Sequence, residues 1–426
     1  MSYTKQTWAN GDIITAAKLN HMEDGIAGVE ADVSSLNTQL LASMPHDTAS
    51  GSIASFPDGA AMPVRDLSVD IEPVQAGSGD PSPDNVRPIS GWTECKVTRT
   101  GKNLLARTNE GVPKTANGVT FSRSGGDYII DATSEKTGYP FVKIGELEGL
   151  KAGTYTLSIL PATAGIAIRI VDRNVTPPNV LYGTGANGYT TFTLSSELTQ
   201  TLSVDITTIA SDLLEGSHTV HPQLEFGSTA TAYEPYQGQT YTIDLNGTRY
   251  GGTLDVTSGK LTVDRILFTP NGTGTYESFN SVRKSGVTTV NSYYFSSNSI
   301  YLDTNGAKDI SNVFKYIGAS GVGASSDNSF FFYGSQLRFT IPMDSTMQTA
   351  DDVNAWIASL YSANTPLQFV LELVTPIEVD LDPVTVETLL GTNNIFADCG
   401  DTTVDYYADT TLFVNKKIAA AVAALS

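Results

Sequence analysis

Long apolar runs are missing from this 426-residue sequence. None approaches the roughly 18 apolar residues that a membrane-spanning helix requires. The opening stretch MSYTKQTWANGDII has no apolar core of signal-peptide length. The expectation is a protein made in a cytosol and kept out of the bilayer. The N-x-S/T triplets at Asn174, Asn246 and Asn271 are then chance matches.

Positive charge is also scarce. Lys and Arg number 25 against 45 acidic residues, a formal net charge of −20, and no basic run is longer than Lys416-Lys417. Coating nucleic acid takes clustered cations that displace counterions from phosphates. The balance argues against nucleic acid and against an anionic membrane surface as partners, and for solubility through mutual repulsion. Cys95 and Cys399 are the only cysteines. Two cysteines make neither a disulfide scaffold nor a zinc cluster. Both lie in strand-like segments where they can meet. Nothing in the sequence marks an oxidising compartment, so the expectation is two free thiols.

Catalytic and metal patterns are thin. There are four histidines. His218 and His221, with Glu225 nearby, spell H-x-x-H in a stretch of β-formers and proline, whereas a zinc protease places H-E-x-x-H on a helix. His21 and His46 fall in a helix and a linker. No G-x-S-x-G elbow occurs. Gly183, Gly185 and Gly188 spell G-x-G-x-x-G, but the following YTTFTL alternates like a strand, where a dinucleotide site needs a helix. Asp80, Asp84 and Asn85 read as turn residues around Pro81 and Pro83. No cofactor, no metal and no enzymatic activity are expected.

What the sequence does have begins at Leu19. Leu19, Met22, Ile26, Val29, Val33, Leu36 and Leu40 follow one another in steps of three and four, an unbroken heptad seam. Thr15 is a fitting N-cap and Pro45 a stop. With Leu19 at position a, Lys18 at g faces Glu23 at e of a neighbouring helix. Two uses fit the seam: self-association, or packing onto the chain's own β region. The seam alone does not choose between dimer and trimer.

The rest is mainly β. Residues 43–63 are small, polar and punctuated by Pro and Gly, and read as a linker. YTLSIL, IAIRIV and LSVDITTI alternate with period two at the spacing of a β-sandwich or jelly roll over 101–236. A C-terminal β domain spans 237–410, with an irregular insertion at 265–365 that holds a few aromatic strands such as FFFY and one short helix at ADDVNAWIASLYS. A hairpin turn is expected at Asn246-Gly247. Residues 46–100 form a linker and β segment, which one arrangement packs against 366–410. Residues 411–426 are helix-prone, with Ile418, Val422 and Leu425 on one face. A sugar site pairs aromatic faces with polar groups. Tyr139, Arg169, Asp172, Tyr182 and Tyr189 are the candidates near the sandwich loops.

Several stretches carry a resemblance. TWANGDIITAAKLNHMEDGIAGVE, through Trp8, Gly11, Asp12, Ile14, Leu19, Asn20, Glu23 and Ile26, resembles the N-terminal attachment segment of fibre and baseplate proteins of phages that infect Gram-positive bacteria. PVQAGSGDPSPDNVRPISGW resembles a segment recurrent in phage minor structural proteins. HPQLEFGSTATAYEPY is similar to the closing strand of carbohydrate-binding-module-like jelly rolls in such proteins. YGGTLDVTSGKLTVD and LLGTNNIFADCGDTTVDYYAD look like further pieces of the same kit.

The resemblance implies a homotrimeric virion fibre. Residues 1–45 would combine a virion-attachment segment, in which Trp8, Gly11, Asp12 and Ile14 meet other virion proteins, with a trimeric coiled coil. The jelly roll would adhere to bacterial surface polysaccharide. Two alternatives stand beside this: a structural head fibre or baseplate element without receptor contact, and an enzyme that cuts the polysaccharide.

Overall fold

A computed structural model describes residues 15–106, 111–134, 136–209, 215–273, 276–282, 290–296, 308–317, 328–333, 336–342 and 349–423. Trp8, Gly11, Asp12 and Ile14 lie outside these residues. The described chain is mainly β, with a helix at each end.

Helix α1 (Ala16–Ser43) is 28 residues long, about 42 Å at roughly 1.5 Å per residue. The Lys18 amide donates to the Thr15 hydroxyl at 3.3 Å, so Thr15 caps it. Its seam is not laid on the chain's own sheets: Leu19, Met22, Ile26, Val29, Val33 and Leu36 are 37–64% exposed. The side chain of Leu40 lies outside the described residues.

One β-sandwich is assembled from distant segments. Its larger sheet runs His46–Gly51, Gly400–Tyr407, Asp66–Ile71, Gly252–Asp255, Lys260–Phe268, Phe369–Asp380 and Ile310–Ser311. The facing sheet runs Gly238–Arg249, Trp92–Thr100, Leu390–Ala397 and Ala54–Ala60. Phe56, Leu67, Val69, Ile71, Val97, Ile243, Leu254, Ile395, Val404 and Tyr406 fill one core between them.

Two expectations need correction here. The 43–63 stretch is not only a linker: His46–Gly51 and Ala54–Ala60 are both edge strands. Pro57 is tolerated because it sits on an edge, where the register also slips between Phe56 and Gly59. Asn246-Gly247 does not turn a hairpin. Asn246 (φ 53°) and Gly247 (φ 111°) make an irregularity inside Gly238–Arg249, where the register breaks between Asp244 and Arg249.

The sandwich core contains a buried polar lock. The Tyr406 hydroxyl donates to Asp58 Oδ1 at 2.7 Å, its ring stacks on Phe56 at 3.9 Å, and Asp58 is 1% exposed. Burial, reinforced by Asp58, pushes the Tyr406 phenol well above its ordinary range. Tyr406→Phe removes a donor from a buried carboxylate. The expected loss is about 1.5–3 kcal/mol in urea denaturation, the range for hydrogen bonds to charged groups. A change within a few tenths of a kcal/mol would show that the bond contributes nothing net.

Helix α3 (Thr410–Ala423) leaves the same end of the sandwich at which α1 arrives, because His46 pairs with Tyr407. Asp409 Oδ1 caps it by accepting from the Leu412 amide at 2.9 Å. Phe413 packs on the core, and Lys416 reaches Asp47 at 3.2 Å and Asp58 at 3.5 Å. Ile418 and Val422 remain exposed.

Within 265–365, the aromatic stretch FFFY falls in the strand Ser329–Tyr333. Tyr276–Val282, Val290–Ser296, Gln336–Pro342, Ser329–Tyr333 and Lys315–Tyr316 form a sheet. Helix α2 (Ala350–Ser362) begins with a reciprocal cap between Thr349 and Asp352. Phe314, Phe330, Phe339, Ile357 and Phe369 build a separate aromatic core.

Candidate functional site

The second sandwich lies within 111–227. Its six-stranded sheet runs Tyr189–Leu194, Gly153–Leu160, Gly216–Phe226, Asp127–Ala132, Val119–Ser124 and Lys114–Ala116. Its four-stranded sheet runs Phe141–Leu147, Leu202–Thr208, Ile166–Asp172 and Asn179–Gly183. Strand alternation sends Leu202, Val204, Ile206, Ile166, Ile168 and Ile170 into the shared core. The same alternation sends Ser203, Asp205, Thr207, Arg169 and Phe141 to the outer face.

On that face the register places Asp205 between Lys143 on one neighbour and Arg169 on the other. Asp205 is fully buried, and Ser203 and Thr207 nearly so. The Ser203 hydroxyl donates to Asp205 Oδ1 at 2.8 Å. The Arg173 guanidinium donates to Oδ2, and Arg169 Nη2 lies 3.6 Å from the same oxygen. A buried carboxylate persists when charge-assisted donors surround it.

Phe141 gathers cations. Lys114 Nζ lies 4.4 Å from its ring centroid, the Arg173 guanidinium 4.9 Å and the Arg169 guanidinium 5.3 Å. Lys114 also donates to the Phe141 carbonyl at 2.6 Å. Burial pushes the Arg169 guanidinium below its ordinary value; Asp205 opposes that and Arg173 adds to it. Arginine stays charged under such shifts. Arg169 Nε is buried with no hydrogen-bond partner among the described residues.

The candidates read from sequence separate. Arg169 sits in this cluster, and Tyr139, 65% exposed, lies two residues before Phe141. Tyr182 points inward instead, stacked on Phe192 at 4.1 Å against the core. Asp172 accepts from the Asn174 amide at 2.8 Å and serves its own turn. Tyr189 is on the opposite sheet, paired with Ser158. Phe141, Arg173 and Asp205 were missed, although LSVDITT, once read as a strand, already puts Asp205 beside Ser203 and Thr207 on the face away from Val204.

Other motifs resolve into structure. The 183–188 glycine motif joins two strands. His221 pairs with Asp127 at 3.0 Å and stacks on Tyr233. Glu225 accepts from Thr231 and Gln223. Among the described residues, the group with metal-ligand spacing is Cys95, Asp398 and Cys399, but its two sulfurs are joined to each other in a disulfide. That corrects the expectation of free thiols. A cavity of about 420 Å³ between the sandwiches is lined in part by Trp92, Glu72, Glu197 and Asp398. At its wall, nearly buried Lys151 bonds Glu197 at 3.0 Å and the Asp398 carbonyl at 3.3 Å, which ties one sandwich to the other.

No protein-family model, curated protein or solved structure matches the chain. Among the described residues, no helix is long and apolar enough to cross a membrane.

Proposed function

We propose that this chain is a homotrimeric fibre protein of a phage virion that adheres to polysaccharide on the bacterial surface. The observation that carries the reading is the exposed heptad seam of α1, which leads into β-sandwiches. An apolar stripe at strict 3-4 spacing with no cover among the described residues calls for copies of itself. The resemblance of 7–30 to phage attachment segments supplies the trimer and the virion, with Trp8, Gly11, Asp12 and Ile14 meeting other virion proteins.

The 101–236 unit is then the adhesive module, a jelly roll of carbohydrate-binding type, with the outer face around Phe141, Arg169 and Arg173 as its binding surface. Three modules on one stalk raise the effective concentration of weak single sites.

The test is sedimentation of the intact protein with purified cell walls from several Gram-positive hosts. Saturable binding, lost when the wall polysaccharide is stripped, is the expected result. Binding to none of them would leave a structural fibre or baseplate element, and release of reducing ends from the walls would make it a depolymerase.

A further inference from the structure

The chain is strongly acidic, yet the outer face of the Phe141–Leu147, Leu202–Thr208 and Ile166–Asp172 strands concentrates cations. Lys114, Lys143, Arg169 and Arg173 stand there against Asp205 and Glu146. Asp205 is fully buried beneath them and spent on Ser203 and the two arginines. Glu146 binds Lys143 at 2.5 Å. These six groups leave an excess of two positive charges in a molecule of formal charge −20.

Phe141 decides what such a face can recognise. A neutral sugar is held largely by stacking its apolar side on an aromatic ring. Here three cations already lie 4.4–5.3 Å from the ring centroid, so the ring fixes the cations in place of a sugar. Each guanidinium is a planar fork of five N–H donors. Arg173 directs one at Asp205, and the side chains of Arg169 and Arg173 keep 22% and 35% of their surface exposed. Two pre-positioned forks beside lysines match the oxygens of a phosphate or carboxylate.

We infer that this face reads an anionic group, phosphate or carboxylate, carried on a polysaccharide. The inference rests on the adhesive role proposed above and narrows its ligand to acidic polymers. Asp205 is a positioning residue: it holds both arginines over Phe141 and touches no ligand itself.

The test uses the intact protein and three soluble polymers of matched length: poly(glycerol phosphate), polygalacturonate and dextran. One or both polyanions should bind, with affinity falling as salt rises, and dextran should not. Binding of poly(glycerol phosphate) alone identifies phosphate as the recognised group, and of polygalacturonate alone carboxylate. Arg169→Gln and Arg173→Gln should each weaken that binding at least tenfold, and Arg173→Lys, which keeps charge but loses the fork, by less. Unchanged melting temperatures show that the variants are folded. Arg173, the more exposed of the two, serves alone if Arg169→Gln does not fold. Dextran binding as tightly as the polyanions, or polyanion binding indifferent to salt and to Arg173→Gln, overturns the inference. So does binding to intact walls with none to either polyanion, a result that leaves adhesion standing. Failure on intact walls as well removes the adhesive role itself.

Discussion

Ile26→Glu with Val33→Glu should convert the protein from three copies of a 45.3 kDa chain into single chains, read as mass by light scattering. The seam puts Leu19, Ile26, Val33 and Leu40 at position a, with Met22, Val29 and Leu36 at d. Burying an aliphatic side chain of this size contributes about 1.5–3 kcal/mol, and the six described ones are 37–64% exposed, with no cover among the described residues. Most helical stability in proteins comes from packing an apolar face rather than from propensity, and Gly25 and Gly28 weaken an unpacked helix by about 0.8–1 kcal/mol each relative to Ala. The proposed association would bury that face. Two glutamates per chain place carboxylates in the middle of that association, where charge cannot be solvated. The sandwiches should keep their melting temperature, since α1 buries none of its seam on them. A wild-type mass of 45.3 kDa, unchanged by the substitutions, would sink both the coil and the fibre reading.

The same geometry predicts a gain. Gly28 falls at the solvent-facing c position, and a methyl group added there meets nothing within 4 Å. Gly28→Ala should stabilise the coil by about 0.8–1 kcal/mol per helix, read as a higher dissociation temperature. A fall would mean that something packs closely on that position.

How much of this was legible depended on how far apart the interacting residues lie in the chain. The heptads of α1 and the alternation of YTLSIL and IAIRIV are local, and the sequence exposes them directly. The strand His46–Gly51 is not visible because HDTASG has no apolar alternation. It is an edge strand held by backbone pairing to Gly400–Tyr407, some 350 residues away. The aromatic unit was obscured by its Ser-, Asn- and Gly-rich loops, and its core draws Phe369 and Leu371 from a strand of the neighbouring sandwich. The candidate site was half visible. Arg169 is legible as a polar side chain near the sandwich loops. Its partnership with Asp205 is a matter of cross-strand register, which a single sequence does not state.

Removing the Cys95–Cys399 bridge should cost about 3–5 kcal/mol in urea denaturation while leaving the far-ultraviolet circular dichroism unchanged. The bridge closes a loop of 304 residues, for which the chain-entropy argument gives about 5–6 kcal/mol, and measured effects usually fall short of that. Both residues are essentially unexposed. Strand pairing already brings them together: Asn394 to Ala397 pair with Thr100 to Val97, and continuing that register by two residues sets Cys399 opposite Cys95. The fold therefore does not wait for the bond. Both sheets can pair before the bridge closes, so the bond adds stability to strands already in register. Thiol titration should find no free cysteine in the denatured oxidised protein and two after reduction, and Cys95→Ala with Cys399→Ala should behave like the reduced form. If reduction left the urea midpoint unmoved, the bridge would constrain nothing that the paired strands do not already fix.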